Sequence, residues 1–495
     1  MNRTTLSLIA AVTALAAVTG FAATTSGGAD GDAPAKTAAR LPVERSSVLC
    51  PSPGLSDLAE TAYTSYTPPS EGSGDKAGKA RLVPAESGSG SGKGKAKQPE
   101  DVAVPKEPGT PAAGEASGAD APAVLGTADG ALAPGWTVQQ TTEVAAGTGR
   151  GLAGLTCSAP DTDFYFPGAS TAKDRSDYIH LTNPDDEAAV VDVQLYGPDG
   201  TVKSEVGEGI QVGPHASVPV LLSTLTDKPY DDLTLHVTAR SGRIAAAVSA
   251  ADDKLGGDWL PAAADPAASL VLPGIPKDAT SVRLVAFAPG QDDADLKIQL
   301  ATSTGRIAPA GNDTLHVKSG MTAAVDLGAV TRGDAGSLLL TPTDGSVPVV
   351  AALRVVRGKG TKQETAFIPA TRDIGARATV ADNRAKGSTL ALTAPAATGT
   401  VKVTASAGTD GGTATSKEYT VKAGTTLSVP APVPSGLKGS YALTVEPVSG
   451  GKVYGSRMLE ERREGVPAFT VQTLPDDRGT VSVPDSGEDL SILQK

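Results

Sequence analysis

The chain is poor in aromatic side chains, cysteine, histidine and positive charge. Aromatics make up 3 % of its 495 residues, and it carries two cysteines and four histidines. That leaves little material for a metal cluster or a redox centre. Lysine and arginine number 43 against 55 aspartate and glutamate, a net charge of -12. Such a chain has no electrostatic footprint for nucleic acid, and acidic lipid repels it on average. No long apolar run follows the first 25 residues, which excludes a polytopic membrane protein. These shortages weaken most enzyme readings as well. What is abundant is turn material, 57 glycines and 37 prolines. At about 100–200 residues per domain the length predicts three or four domains.

Arg3 is the only charge before Asp30, and Leu6 to Ala23 is uncharged and moderately apolar. A short positive start, an apolar stretch and the small residues Gly20 and Ala22 around Phe21 fit a secretory signal cleaved after Ala22. The alternative is an uncleaved anchor. Either way Arg3 holds the N-terminus inside, and the chain beyond residue 25 is expected outside the cytoplasm, exported to the cell surface or beyond. Export permits a disulfide.

The middle of the chain repeats itself. Val191-Asp-Val-Gln-Leu195 is followed 105 residues later by Leu296-Lys-Ile-Gln-Leu300, and after another 105 by Val401-Lys-Val-Thr-Ala405. Each alternates apolar and polar residues, the period of a half-buried strand. A strand ending at Pro184, Pro289 or Pro395 precedes each one. Hairpins turning at Gly242, Gly345 and Gly450 close the units. About seven short strands in ~105 residues is the pattern of an immunoglobulin-like sandwich. The chain therefore reads as all-β, as tandem immunoglobulin-like β-sandwich repeats over 161–265, 266–375 and 376–465, with cores of Val, Leu, Ile and Ala.

Residues 41–160 read as a degraded first copy. Val48-Leu-Cys-Pro51 matches Leu270-Val-Leu-Pro273, and Thr148 to Leu155 resembles Ser241 to Val248. No aromatic lies between Tyr66 and Trp136, and the tract is rich in Gly, Ser, Lys, Pro, Ala and Glu. Such a composition does not offset ordering entropy, so residues 70–130 are expected to be a disordered insertion. Residues 26–40 read as a linker and 466–495 as C-terminal strands. Val481 to Pro484 and Asp489 to Leu493 echo a repeat start. They are expected either to add to the last sandwich or to complete the first copy and close a ring; without closure the repeats stack in a line.

Cys50 and Cys157 fall in the opening and closing strands of the first copy, edge strands that can run side by side in such sandwiches. A disulfide between them is expected. Gly149-Arg-Gly-Leu-Ala-Gly154 fits a dinucleotide fingerprint by letter, but strand and turn follow it where the pyrophosphate needs a helix N-terminus. No Gly-x-Ser-x-Gly elbow occurs, and the Gly88–Lys93 run has the wrong spacing for a phosphate loop. His180, His215, His236 and His316 have no nucleophile or ligand spacing. Asp185-Asp-Glu187 and Asp292-Asp-x-Asp295 share an inter-strand loop, the type of place where calcium binds, but the third repeat has no ligand there. Solvated acidic loops explain them. Arg332-Gly-Asp334 matches an adhesion tripeptide by chance. Trp259 reads as core packing, and Trp136 as the start of order after the linker.

Leu41-Pro-Val-Glu-Arg-Ser-Ser-Val-Leu-Cys-Pro51, the stretch from Cys157 to Gly168 and His180-Leu-Thr-Asn-Pro184 together resemble an actinobacterial family of exported proteins, the domain-of-unknown-function family 5719. The resemblance implies export and an uncharacterised envelope role, and carries no catalytic residues. The expected function is non-enzymatic: a scaffold or protein-binding array at the cell envelope, without cofactor. The alternative is a polysaccharide-binding accessory protein in cell-wall or exopolysaccharide assembly. The expected partner is an envelope protein or a glycan. Nucleic acid is excluded, and the membrane enters only through an N-terminal anchor.

Overall fold

The computed structural model describes residues 39–54, 56–70, 77–87, 102–463 and 465–483. The signal or anchor over 1–25, nearly all of the 26–40 linker and the strand expected at Asp489–Leu493 lie outside them. The chain forms two compact units, one from the chain ends up to Leu41 and from Ser482, the other Pro42–Val481. Ala39–Pro42 pairs with Thr480–Val483 in a two-stranded sheet of their own, which is neither of the two places expected for the tail. Among the described residues every regular element is a strand, apart from two 3-10 turns at Gly130–Leu132 and Leu222–Thr224.

Within Pro42–Val481 the chain four times builds a pair of sheets. The inner sheet of each pair has one strand order. In the second segment it runs Ala216–Leu221, Arg175–Thr182, Ala245–Asp252, Gly256–Leu260. In the third it runs Thr322–Asp326, Ala279–Phe287, Val350–Lys359, Lys362–Pro369. In the fourth it runs Thr425–Pro430, Ser388–Ala394, Tyr454–Arg463, Val466–Thr473. The outer sheets centre on the antiparallel ladders Ala189–Gly197/Leu233–Ser241, Ala294–Ala301/Gly336–Pro342 and Gly399–Gly408/Tyr441–Gly450. Alternation makes these strands two-faced. In Leu296-Lys-Ile-Gln-Leu300 the three apolar residues are buried, while Lys297 is exposed. The buried faces meet between the sheets, as when Phe166, Val193 and Leu235 of the outer sheet share a core with Ile179 and Val248 of the inner one. Gly242, Gly345 and Gly450 lie at φ of 73°, 68° and 88°, the left-handed region that favours glycine, but they do not turn the expected hairpins: the strand before each belongs to the outer sheet and the strand after it to the inner one, so each carries the chain from one sheet to the other.

The first segment corrects the expected disordered insertion over 70–130 at 77–87 and 102–130, while 71–76 and 88–101 lie outside the described residues. Ala80–Pro84, Ala112–Ser117 and Val124–Asp129 are strands. They complete an outer sheet, Arg45–Cys50, Val124–Asp129, Ala80–Pro84, and an inner one, Ala112–Ser117, Ala59–Tyr66, Thr137–Val144, Gly151–Thr156. Composition misleads here because an edge strand needs little core. Ala112–Ser117 holds its place through a six-residue backbone ladder to Ala59–Tyr66. Leu82, with the small Ala80 beside it, anchors Ala80–Pro84, packed with Tyr63 and Trp136. Order thus precedes Trp136. Glu86-Ser87 goes on to pair in parallel with Ala216-Ser217, the edge of the second segment.

Two boundaries also move. Gly151–Thr156 is the fourth inner strand of its segment and so corresponds to Gly256–Leu260, not to Ser241–Val248. Val466–Thr473 is the fourth inner strand of the last segment, so that segment does not end at 465. Val466–Thr473 is instead a hairpin strand, paired with Tyr454–Arg463 over eight residues.

Candidate functional site

The fourth inner strands, Gly151–Thr156, Gly256–Leu260, Lys362–Pro369 and Val466–Thr473, lie against one another in cyclic order, first to second to third to fourth and back to first. The segments therefore close on themselves and do not extend as a line. Glycine makes the close approach feasible. A Cβ on Gly151 would collide with the Glu364 carboxylate, and one on Gly154 would sit 2.5 Å from Gln472 Nε2 and 2.6 Å from Thr470 Cγ2.

At the middle of this circuit lies Asp258, fully buried. Its Oδ1 accepts from Gly154 N at 3.0 Å and from Thr470 Oγ1 at 3.0 Å, and Thr470 Oγ1 also lies 3.2 Å from Oδ2. The backbone N–H groups of Trp259 and Phe367 reach the same carboxyl. One side chain thus touches all four central strands. Burial holds its pKa well above the usual carboxylate range, and these donors offset only part of that. Two positions into the third strand, Glu364 Oε1 accepts from Leu152 N at 3.2 Å, while Oε2 is buried without a hydrogen-bond partner. Burial pushes Glu364 up to about 8, against the opposing pull of Arg150. Arg150 Nη2 donates to the carbonyls of Lys254 at 2.9 Å and Gln363 at 3.2 Å, tying together three hairpin ends.

One end of the circuit opens into a cleft of about 1330 Å³. The four segment ends converge on it, through Asp161, Asp265, Arg372 and Asp476, and Leu155 and Gln472 of the central strands line it too. The outer sheet of the first segment adds a wall bearing Arg45, Lys79 and Arg81. Much of the remaining charge is bonded within the walls. Arg372 pairs with Asp265, Asp477 with Arg377 at 2.6 Å, and Asp476 accepts from Ala376 N at 2.6 Å and Arg478 N at 2.7 Å.

A family of unknown function, DUF5719, matches residues 112–432, well over half of the chain. The chain belongs to this family. The span matched takes in Asp258 and Glu364 and three of the four central strands, but not Cys50 or Thr470. No curated protein matches the chain. The family's description names no activity, so a functional reading rests on the residues themselves.

Of those singled out in the sequence, Cys50 and Cys157 are joined in a disulfide, with Cα atoms 4.6 Å apart. It closes the first segment beside the cleft, where Leu49 and Ser158 exchange both backbone hydrogen bonds. Gly149 to Gly154 forms a turn and a strand, with no helix to receive a pyrophosphate. His180 is buried against Trp259, its Nε2 3.1 Å from Ser249 Oγ, and burial lowers its pKa to about 4. His215 and His316 bind the acidic loops, His215 to Asp186 at 2.7 Å and His316 to Asp295 at 2.8 Å. Asp185 pairs with Arg243 at 3.0 Å. No cluster among the described residues has metal-holding geometry. Asp334 of the Arg-Gly-Asp triplet accepts from Ser303 Oγ at 2.7 Å. Trp259 is core, packed on Leu155 and Ala247.

Asp258 and Glu364 escape sequence reading. A signal does exist: carboxylates stand 106 residues apart, at the third position of two strands otherwise nearly free of charge. Ala153 and Ala468 hold that position in the other two.

Proposed function

We propose that this chain is a non-enzymatic, exported cell-envelope scaffold of four immunoglobulin-like modules of about 105 residues, closed head to tail, that offers its cleft to a partner protein. The cyclic packing of the four central strands carries the reading. It makes one rigid body of the four modules and gathers their ends around one concave surface, the place where binding sites concentrate. The modular part is supported by the central strands, which begin at residues 151, 256, 362 and 466. The export part is supported by the Arg3-led apolar start and by the disulfide, a bond that persists outside the cytosol. No helix among the described residues is long and apolar enough to cross a membrane.

The polysaccharide-binding alternative asks for aromatic faces turned to solvent. The half-buried Tyr165 and Tyr196 of the second segment lie against other rings instead: Tyr165 stacks on His236 at 4.3 Å, and Tyr196 packs at a tilt on Phe287 of the third segment at 4.6 Å. The test is photo-cross-linking from Ser47 or Thr127 in the cleft wall of the exported full chain, with Val206, exposed on the second segment, as control position. A partner protein captured from the cleft positions alone supports the reading. Capture that is equal from all positions, or retention by wall glycan in place of protein, overturns it.

A further inference from the structure

We propose that the Asp258 and Glu364 carboxyls form a proton-loaded clasp, which holds the four central strands together when protonated and loosens them when ionised. The clasp is regulation of the closure described above and rests on that closure alone; it stands whether or not the cleft binds a protein.

The geometry requires a carboxyl that can lose its proton where no cation balances it. On the four central strands the charged residues are Asp258, Lys362 and Glu364. Gly151–Thr156 and Val466–Thr473 face Asp258 with uncharged groups only. From the hairpin ends come Arg150, whose Nη2 is engaged with two carbonyls while its charge pulls on Glu364 without outweighing burial, and Lys254, whose side chain lies 3.9 Å from Asp174. Asp252 uses Oδ1 to accept from Lys254 N and Leu255 N. Arg357, opposite Glu364 in the ladder, is held at 2.8 Å by both Asp278 and Glu460. No cation is thus committed to Asp258, and a buried unpaired charge is costly.

Thr470 can serve both states. Its hydroxyl accepts from Gln472 Nε2 at 2.8 Å and lies within 3.5 Å of Gly154 O and 3.2 Å of Asp258 Oδ2. A protonated Asp258 donates through Oδ2 to Thr470 Oγ1, whose own proton then turns to Gly154 O. Asp258, the Thr470 hydroxyl and Gly154 O are then satisfied without charge. In the ionised state the hydroxyl turns to the carboxylate, the bond to Gly154 O is lost, and the charge remains buried.

The sign follows. Both folded-state pKa values are raised, so the closed form binds protons that the opened form releases. The stabilisation is complete below the ordinary carboxylate range and is lost as pH rises, for Glu364 through about 8. His180, lowered to about 4, acts in the opposite direction below its ordinary 6.5. The window from pH 6.5 to 8 is therefore where the clasp shows.

The test is hydrogen exchange of the central-strand amides in the full chain, corrected for intrinsic rates. For one group the opening constant rises about tenfold per pH unit well below its folded-state pKa and levels off there, hence about 15-fold over this window for Glu364, pushed up to about 8. Glu364→Gln, which mimics the protonated form, is expected to remove the Glu364 share of the rise and leave the Asp258 share; Asp258→Asn keeps an acceptor for Gly154 N and a donor for Thr470, and is expected to lower the slope likewise. A flat wild-type profile from pH 6.5 to 8 overturns the clasp. So does an unchanged slope in Glu364→Gln. If Asp258→Asn fails to fold, Glu364→Gln and the wild-type profile still decide.

Discussion

Replacing Cys50 by serine opens a loop of 107 residues and tests whether the disulfide carries the first segment. In the chain-entropy treatment such a cross-link removes about 16 cal/mol/K from the unfolded ensemble, or about 4.8 kcal/mol at 25 °C. At about 1.4 kcal/mol per decade that is an upper limit of roughly 3,000-fold in the opening constant of the segment. The native contacts at the bond barely change. Leu49 and Ser158 keep their paired hydrogen bonds at 2.8 and 3.1 Å, and Val48 still packs with Leu82 and Trp136. The loss therefore acts through the unfolded state and adds to whatever the closure contributes. The assay is limited proteolysis of the full chain at low protease, where cleavage tracks the opened population. Cleavage between residues 42 and 157 is expected to accelerate at least a hundredfold, earlier than anywhere between 161 and 463. Reduction of the wild type is expected to reproduce the pattern. Acceleration below tenfold would refute the reasoning, as would recovery of both cysteines as free thiols from secreted protein.

Leu82→Ala, which empties a fully buried site in the strand Ala80–Pro84, should destabilise by about 2–4 kcal/mol in urea titration; a loss under about 0.5 would return that strand to the insertion. Gly151→Ala drives a Cβ into Glu364 at a φ of +122°, and is expected to cost more than about 2 kcal/mol and to raise exchange in all four central strands at once. His180→Asn should remove the part of the acid-induced stability loss between pH 6.5 and about 4, because the wild-type imidazole must stay neutral in its buried site. The excised second segment, residues 161–265, exposes Trp259 and Asp258, so circular dichroism should show a β-rich fragment that melts well below the full chain; equal melting would make the closure energetically idle.

Much of the fold is legible because it is local. Alternation in Leu296 to Leu300 sets two faces, Pro184, Pro289 and Pro395 mark strand ends, and three glycines at positive φ mark turns, though these cross from one sheet to the other and are not the hairpins expected. The disulfide is legible too, since it needs only the positions of two strands in one segment and an oxidising address. The strands of the first segment are not, because Ala112–Ser117 has no apolar pattern. It becomes a strand only when Ala59–Tyr66 offers a ladder.

The residues alone thus determine an all-β chain with four similar stretches and a cross-link in the first. Tertiary structure decides that the stretches close on themselves. Asp258 meets partners 104 and 212 residues away, and no local pattern says whether the last strand returns to the first. A carboxylate two residues into a short strand reads as a solvent-facing side chain. Only the approach of three other backbones, admitted by glycine at 151 and 154, makes it the buried centre of the molecule's largest unit.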